Sequence, residues 1–125
     1  MPIIITSLPK PEALIATAKT IAAAKLPRRI VCECSTFTIE DKEKAEKALR
    51  AAGHVMLDCP VSGTGSQAKT GDLVIYASGE SKAIAKVKPM FAGFSRKTYD
   101  VGAFGNGSRM KYVAKLLVAI NNVAS

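Results

Sequence analysis

The sequence predicts an α/β fold, a mostly parallel sheet with flanking helices, on three observations. Short β-branched runs alternate with Ala- and Leu-rich stretches of helical periodicity. The first three runs are separated by segments long enough for crossover helices, which favour right-handed connections and parallel strands. Proline, glycine and threonine stand where these elements begin and end.

Taken in order, Pro2 to Thr6 reads as a buried strand. Pro11 suits the first turn of a helix, where its missing N–H costs nothing, and that helix is expected to run to about Lys25. Pro27 blocks continuation, and Arg29 to Cys34 reads as a second buried strand. Thr38 is placed to cap the next helix, with Asp41 three residues on at capping-box spacing. Ala45, Ala48, Leu49 and Ala52 give that helix one apolar face, and Gly53 ends it. Val55 to Asp58 is a third strand. Pro60 to Gly71 reads as a loop with room for one helical turn, Leu73 to Ala77 as a strand, and Ser81 to Phe91 as a helix with Pro89 near its end. Lys97 to Val101 is a short strand. Gly102, Gly105 and Gly107 form a glycine-rich turn, and an apolar-rich helix follows from Ser108.

Composition narrows the function classes. The 125 residues suit one domain, and 48% hydrophobic with 22% charged is globular rather than disordered. The net charge of +8, from 18 Lys+Arg against 10 Asp+Glu, invites an anionic partner. Yet the lysines are dispersed (Lys42, Lys44, Lys47, Lys82, Lys86, Lys88, Lys111, Lys115), mostly at the spacing of solvated helix faces. Arg28-Arg29 has no interleaved aromatics, so no nucleic-acid partner is expected. Ala13 to Leu26 is interrupted by Lys19 and Lys25 and is too short to span a bilayer, so no membrane partner is expected. Met1 leads straight into Pro2-Ile3-Ile4-Ile5 without a basic leader, and the three cysteines are an odd count; both point to reduced thiols in the cytoplasm. Cys32, Cys34, His54 and Cys59 lack the tight pairing usual in zinc sites, so no metal is expected.

Three segments could carry chemistry. Asp58-Cys59-Pro60-Val61-Ser62-Gly63-Thr64-Gly65 follows a strand, where parallel sheets bind ligands, and its hydroxyl and amides could hold a carboxylate; the same residues also make an ordinary turn. Gly105-Asn106-Gly107 lets the backbone approach a ligand closely, and Lys111 lies one turn into the helix, where partial burial would fit it for proton transfer; plain capping with a solvated lysine reads equally from these residues. Ser35-Thr36 ends the second strand and could offer hydroxyls to a cofactor or begin a turn.

The order Leu8-Pro9, Ser35-Thr36, Asp58-x-Pro60-Val61-Ser62-Gly63, Gly71-Asp72-Leu73 and Gly105-x-Gly107-x-x-x-Lys111 resembles the β-hydroxyacid dehydrogenase family, which includes 3-hydroxyisobutyrate, tartronate-semialdehyde and 6-phosphogluconate dehydrogenases. The resemblance covers nearly the whole chain. It implies a partial Rossmann-like sheet and oxidation of a small β-hydroxy acid by hydride transfer to NAD or NADP. By the same resemblance Lys111 matches the catalytic lysine, Ser62 and Gly63 match the substrate loop with Thr64 and Lys115 beside them, and Leu8, Pro9 and Thr36 lie against the cofactor.

Three departures from the family pattern stand out. Thr64 replaces the second glycine of Ser-Gly-Gly. Lys115 stands where many members carry Asn, on the same helix face as Lys111, so that two ammonium groups would repel. No Gly-x-Gly-x-x-Gly motif, which holds the pyrophosphate, occurs in the chain. The resemblance therefore implies that residues 1–105 are the second half of a Rossmann-like NAD(P)-binding domain without its glycine-rich half, and that residues 106–125 begin the family's interdomain helix. A homo-oligomer is expected, and a non-catalytic assembly fragment joined through an open sheet edge is the alternative. An antiparallel course of the middle segments, or Lys111 and Ser62 on opposite faces, would argue against this ancestry.

Overall fold

The computed structural model describes residues 3–24, 27–62, 73–93 and 95–111. Gly63, Thr64 and Lys115, the space for a helical turn before Gly71, and the continuation expected for the last helix beyond 111 lie outside them. The described elements are β1 (Ile3–Thr6), α1 (Pro11–Ala23), β2 (Ile30–Glu33), α2 (Ile39–Ala51), β3 (Val55–Asp58), β4 (Val61–Ser62), β5 (Leu73–Ala77), α3 (Ser81–Phe91) and β6 (Ser95–Asp100), followed by a helical turn at 106–111.

β1, β2 and β3 are parallel in that order, and α1 and α2 are the crossovers the sequence predicts. Pro11 occupies the first turn of α1. Thr38 caps α2 by accepting the Asp41 N–H at 3.3 Å, while its hydroxyl donates to the Asp41 carboxylate at 2.9 Å. Gly53 ends α2 at φ +88°, with the Gly53 N–H donating to Arg50 and the His54 N–H to Leu49, so the last carbonyls are satisfied.

The second half departs from expectation. The predicted loop after Pro60 begins with β4, which pairs antiparallel with β5, and β5 then pairs parallel with β6. The two three-stranded groups are joined where Asp58 and Ser78 exchange backbone hydrogen bonds of 3.0 and 2.8 Å. β5 and β6 therefore run opposite to β3, and the expectation that the middle segments run parallel is wrong here. The reason is local: the chain leaving β3 stays extended through Val61, and β4 there pairs antiparallel with β5. β6 begins at Ser95 rather than Lys97, and the last helix begins at 106 rather than Ser108.

Strand alternation sorts the core into two layers. Ile30, Cys32, Leu57 and Ile75 face α3, whose Ala83, Ile84, Val87 and Phe91 cover them. Val31 and Met56 face the other way, under Leu14 and Ala18 of α1 and Ala45 and Leu49 of α2. β1 is less buried than its composition suggests. It pairs only with β2 among the described residues, and Ile5 remains 46% exposed.

Cys32, Cys34 and Cys59 are free thiols. Burial, reinforced by Cys32 and Glu33, pushes the Cys34 thiol from an ordinary 9.0 up to about 12. A hydrogen bond with Cys32, and then burial, raise Cys59 well above its ordinary value. The folded chain thus holds the Cys34 proton where the unfolded chain releases it. This contribution to stability is complete below pH 9 and is lost as pH rises toward 12. The melting temperature should fall over that window, and Cys34→Ala should flatten the fall; equal slopes in both proteins would refute the assignment.

Candidate functional site

The carboxyl end of β2 and the start of β4 meet the last helix. Leu8, on the loop after β1, donates its N–H to Ser35 Oγ at 2.7 Å, which ties that loop to the end of β2. Thr36 follows and is exposed. Lys111 reaches over from the 106–111 helix, and its Nζ donates to Thr36 Oγ1 at 2.8 Å and to the Val61 carbonyl at 2.7 Å. An ammonium has donors and no acceptor, and these two oxygens are among the partners that orient it.

Of the residues singled out in the sequence, the structure brings Leu8, Thr36 and Lys111 to one end of the sheet. Ser62 sits in β4 directly after Val61, whose carbonyl binds Lys111, so the Ser62 backbone and the lysine share that end. Pro9 is exposed on the same loop as Leu8. Ser35 serves the β1 loop through its hydroxyl.

The glycine turn acts differently from the expectation that it opens the backbone to a ligand. Gly105 adopts φ +96°, which turns the chain into the helix. A Cβ on Gly107 would lie 2.4 Å from the Tyr76 carbonyl and 2.7 Å from that of Asp58. The close approach is therefore between the helix start and the sheet's own backbone at the β3–β5 junction.

Beneath the surface lie polar residues to which the sequence reading gave no role. Lys42, counted there among dispersed helix lysines, is 1% exposed and pairs with Asp58 at 2.6 Å, itself 0% exposed. Its place three and seven residues before Ala45 and Leu49, on the buried stripe of α2, was the available signal. Glu33 is also fully buried; it accepts from the Thr6 hydroxyl, and from the Ser35 N–H at 2.6 Å. Its position at the carboxyl end of a strand with an apolar run before it gave no such warning.

A cavity of about 400 Å³ lies at the opposite end of β3, lined by Arg28, Arg50, His54, Glu80 and Phe104 among others. Its charges are compensated, Arg28 by Glu80 and Arg50 by Glu46, each at 3.5 Å, and it is remote from Lys111. His54, weighed with the cysteines as a metal set, precedes β3 and accepts the Arg29 N–H at 3.1 Å, whereas Cys59 follows that strand. No described helix is long and apolar enough to cross a membrane.

Residues 1–102 match the family described as the NAD binding domain of 6-phosphogluconate dehydrogenase. The chain is 34% identical over 105 residues to an L-threonate dehydrogenase of Pectobacterium atrosepticum, covering 83% of this chain and 34% of that protein. It is 34% identical over 94 residues to an NAD-dependent L-serine dehydrogenase of Pseudomonas aeruginosa, covering 75% of this chain and 32% of that protein. It thus spans about a third of the length of these relatives. The fold is that of the 3-hydroxyisobutyrate dehydrogenase of Mycobacterium tuberculosis with L-serine, with a TM-score of 0.91 at 24% identity over 98% of this chain and 42% of that one. The antiparallel turn-back at β4 and β5 is therefore no argument against the ancestry, because nearly the whole chain superposes with it included. On the matched residues, this chain belongs to the β-hydroxyacid dehydrogenase family and corresponds to its NAD-binding region.

Proposed function

We propose that this chain supplies the lysine side of an NAD(P)-dependent oxidation of a small β-hydroxy acid, in the cytoplasm and as part of a homo-oligomer. The observation that carries the reading is the placement of Lys111 Nζ against Thr36 Oγ1 and the Val61 carbonyl, one residue before Ser62. The exposed Thr36 and Pro9, with Leu8 tied to Ser35 next to Thr36, fit the nicotinamide end of a dinucleotide at the carboxyl ends of parallel strands. The chain has no Gly-x-Gly-x-x-Gly for the pyrophosphate. On this reading residues 1–105 are the second half of the nucleotide domain and residues 106–125 begin the interdomain helix.

A bound nicotinamide supplies the hydride acceptor. Lys111, as the neutral amine, takes the hydroxyl proton at Nζ while the carbinol carbon becomes a carbonyl. In its charged form it donates to the oxygen on which negative charge develops. Ser62, Gly63 and Thr64 hold the acid's carboxylate, and Lys115, four positions on from Lys111 in the sequence, adds a second positive charge.

NADH and NADPH, titrated separately into the chain, should each shift the backbone NMR signals of Leu8 and Thr36. The affinity should be weak, since pyrophosphate contacts are lacking. A sub-micromolar dissociation constant, about −8 kcal/mol or tighter, would contradict the half-domain reading, and shifts confined to other residues would contradict the site. Any turnover with 3-hydroxy acids should drop about 100-fold or more in Lys111→Met.

A second reading is favoured by β1: a non-catalytic fragment that assembles through its sheet edge. Edge strands with exposed apolar side chains recruit further strands, and among the described residues Ile5 lies on such an edge. Sedimentation at low and high concentration should show association, and a monomer at both would count against it.

A further inference from the structure

Glu33 and Asp58 stand in register at the carboxyl ends of β2 and β3, both fully buried, and the row continues to Thr6 on one side and Ser78 on the other. A buried ion pair such as Lys42 with Asp58 is often no more stable than apolar residues of equal volume. Its geometry, rather than its stability, distinguishes it. Asp58 Oδ1 accepts from Lys42 Nζ at 2.6 Å and from Ser108 Oγ at 2.9 Å, and Oδ2 accepts the Ser108 N–H at 2.8 Å. Ser78 Oγ lies 3.1 Å from the Asp58 carbonyl and accepts the Gly107 N–H at 3.0 Å. The first amides of a helix have no intrahelical acceptor. Here two of them end on one carboxylate and on the hydroxyl beside it. Ser108 precedes Lys111 by three residues, about 4.5 Å along the axis, so whatever holds Ser108 also determines where the Lys111 amine falls.

We propose that Asp58, with Lys42 behind it, is a positioning residue that clamps the first turn of the 106–111 helix and thereby holds the Lys111 amine between Thr36 and Val61. Asp58 does not touch substrate; it acts through Ser108. Lys42 crosses from α2 to place its ammonium against the carboxylate at 2.6 Å, beside the Ser108 donors. The functional consequence rests on Lys111 being the reacting amine, but the clamp itself concerns only where that amine is held.

The test is lysine acylation of the whole chain by N-hydroxysuccinimidyl acetate, mapped by mass spectrometry against exposed Lys44. Ser108→Ala should speed Lys111 acylation about tenfold, the worth of one hydrogen bond to a charged group, while Lys42 stays protected. Ser108→Thr keeps the hydroxyl and should keep the wild-type rate. The double variant Lys42→Met with Asp58→Leu refills the core with apolar side chains and should fold, yet leave Lys111 fast. Unchanged Lys111 rates in Ser108→Ala, a Ser108→Thr variant as fast as Ser108→Ala, or a wild-type rate in the double variant would each overturn the proposal. Absence of nicotinamide-induced shifts at Leu8 and Thr36 would remove the dehydrogenase reading and leave these rates standing, whereas unresponsive rates would remove the clamp and leave that reading standing.

Discussion

Lys42→Met should destabilise the chain by about 3–5 kcal/mol, the usual cost of leaving one member of a buried ion pair alone. Methionine is close to lysine in volume, so the cavity term is small and the loss comes from Asp58. That carboxylate is fully buried, and Lys42 is its cationic partner at 2.6 Å. Its remaining donors, Ser108 and the neighbouring Ser78, are neutral and cannot compensate the charge. The effect should appear in urea denaturation as a lower midpoint with an unchanged slope, because the same surface is exposed on unfolding. Removing Asp58 as well, as leucine, should recover part of the loss. A cost below about 1 kcal/mol, the range of surface pairs, would mean that Lys42 reaches solvent and that the pair is not buried as described.

Gly107→Ala should cost about 3 kcal/mol or more, at the upper end for forcing an atom into a packed interior. The added Cβ would meet the carbonyl oxygens of Tyr76 and Asp58 at 2.4 and 2.7 Å and the Pro60 ring at 2.9 Å. Neither carbonyl can yield cheaply. Asp58 is held by the paired backbone bonds to Ser78, and the Pro60 carbonyl accepts the Tyr76 N–H at 3.1 Å. The helix start must lift instead, breaking the Gly107 and Ser108 contacts and withdrawing Lys111 from Thr36. A lower denaturation midpoint with faster acylation of Lys111 is the expected pair of results. A variant as stable as the parent would place the helix start away from the sheet.

Much of this architecture was legible in the residues. Pro11, Thr38 and Gly53 mark helix ends by their backbone chemistry, which acts within a few residues and needs no tertiary partner. The apolar stripe of α2 and the β-branched content of β2 report burial through periodicity in the same way. The order and spacing of the serine–glycine segment and Lys111 resemble the family's, and the structure brings Lys111 against Val61, the residue before Ser62. The course of β4 was not legible, because two residues cannot display a period and antiparallel pairing with β5 depends on where β5 lies. Lys42 was misread for a related reason: a lysine is ordinarily solvated, and only a carboxylate in the strand beneath it makes burial tolerable.

The sequence by itself determined the alternation of strands and helices, the family, and the candidate lysine, because each depends on local chemistry or on motif spacing along the chain. The tertiary structure alone decided the antiparallel turn-back, the exposure of Ile5, the burial of Lys42 against Asp58, and the reason Gly107 must lack a side chain. Those outcomes depend on groups distant in sequence, such as Asp58 and Ser108 at fifty residues' separation, meeting at hydrogen-bond distance, and no pattern along the chain encodes that meeting.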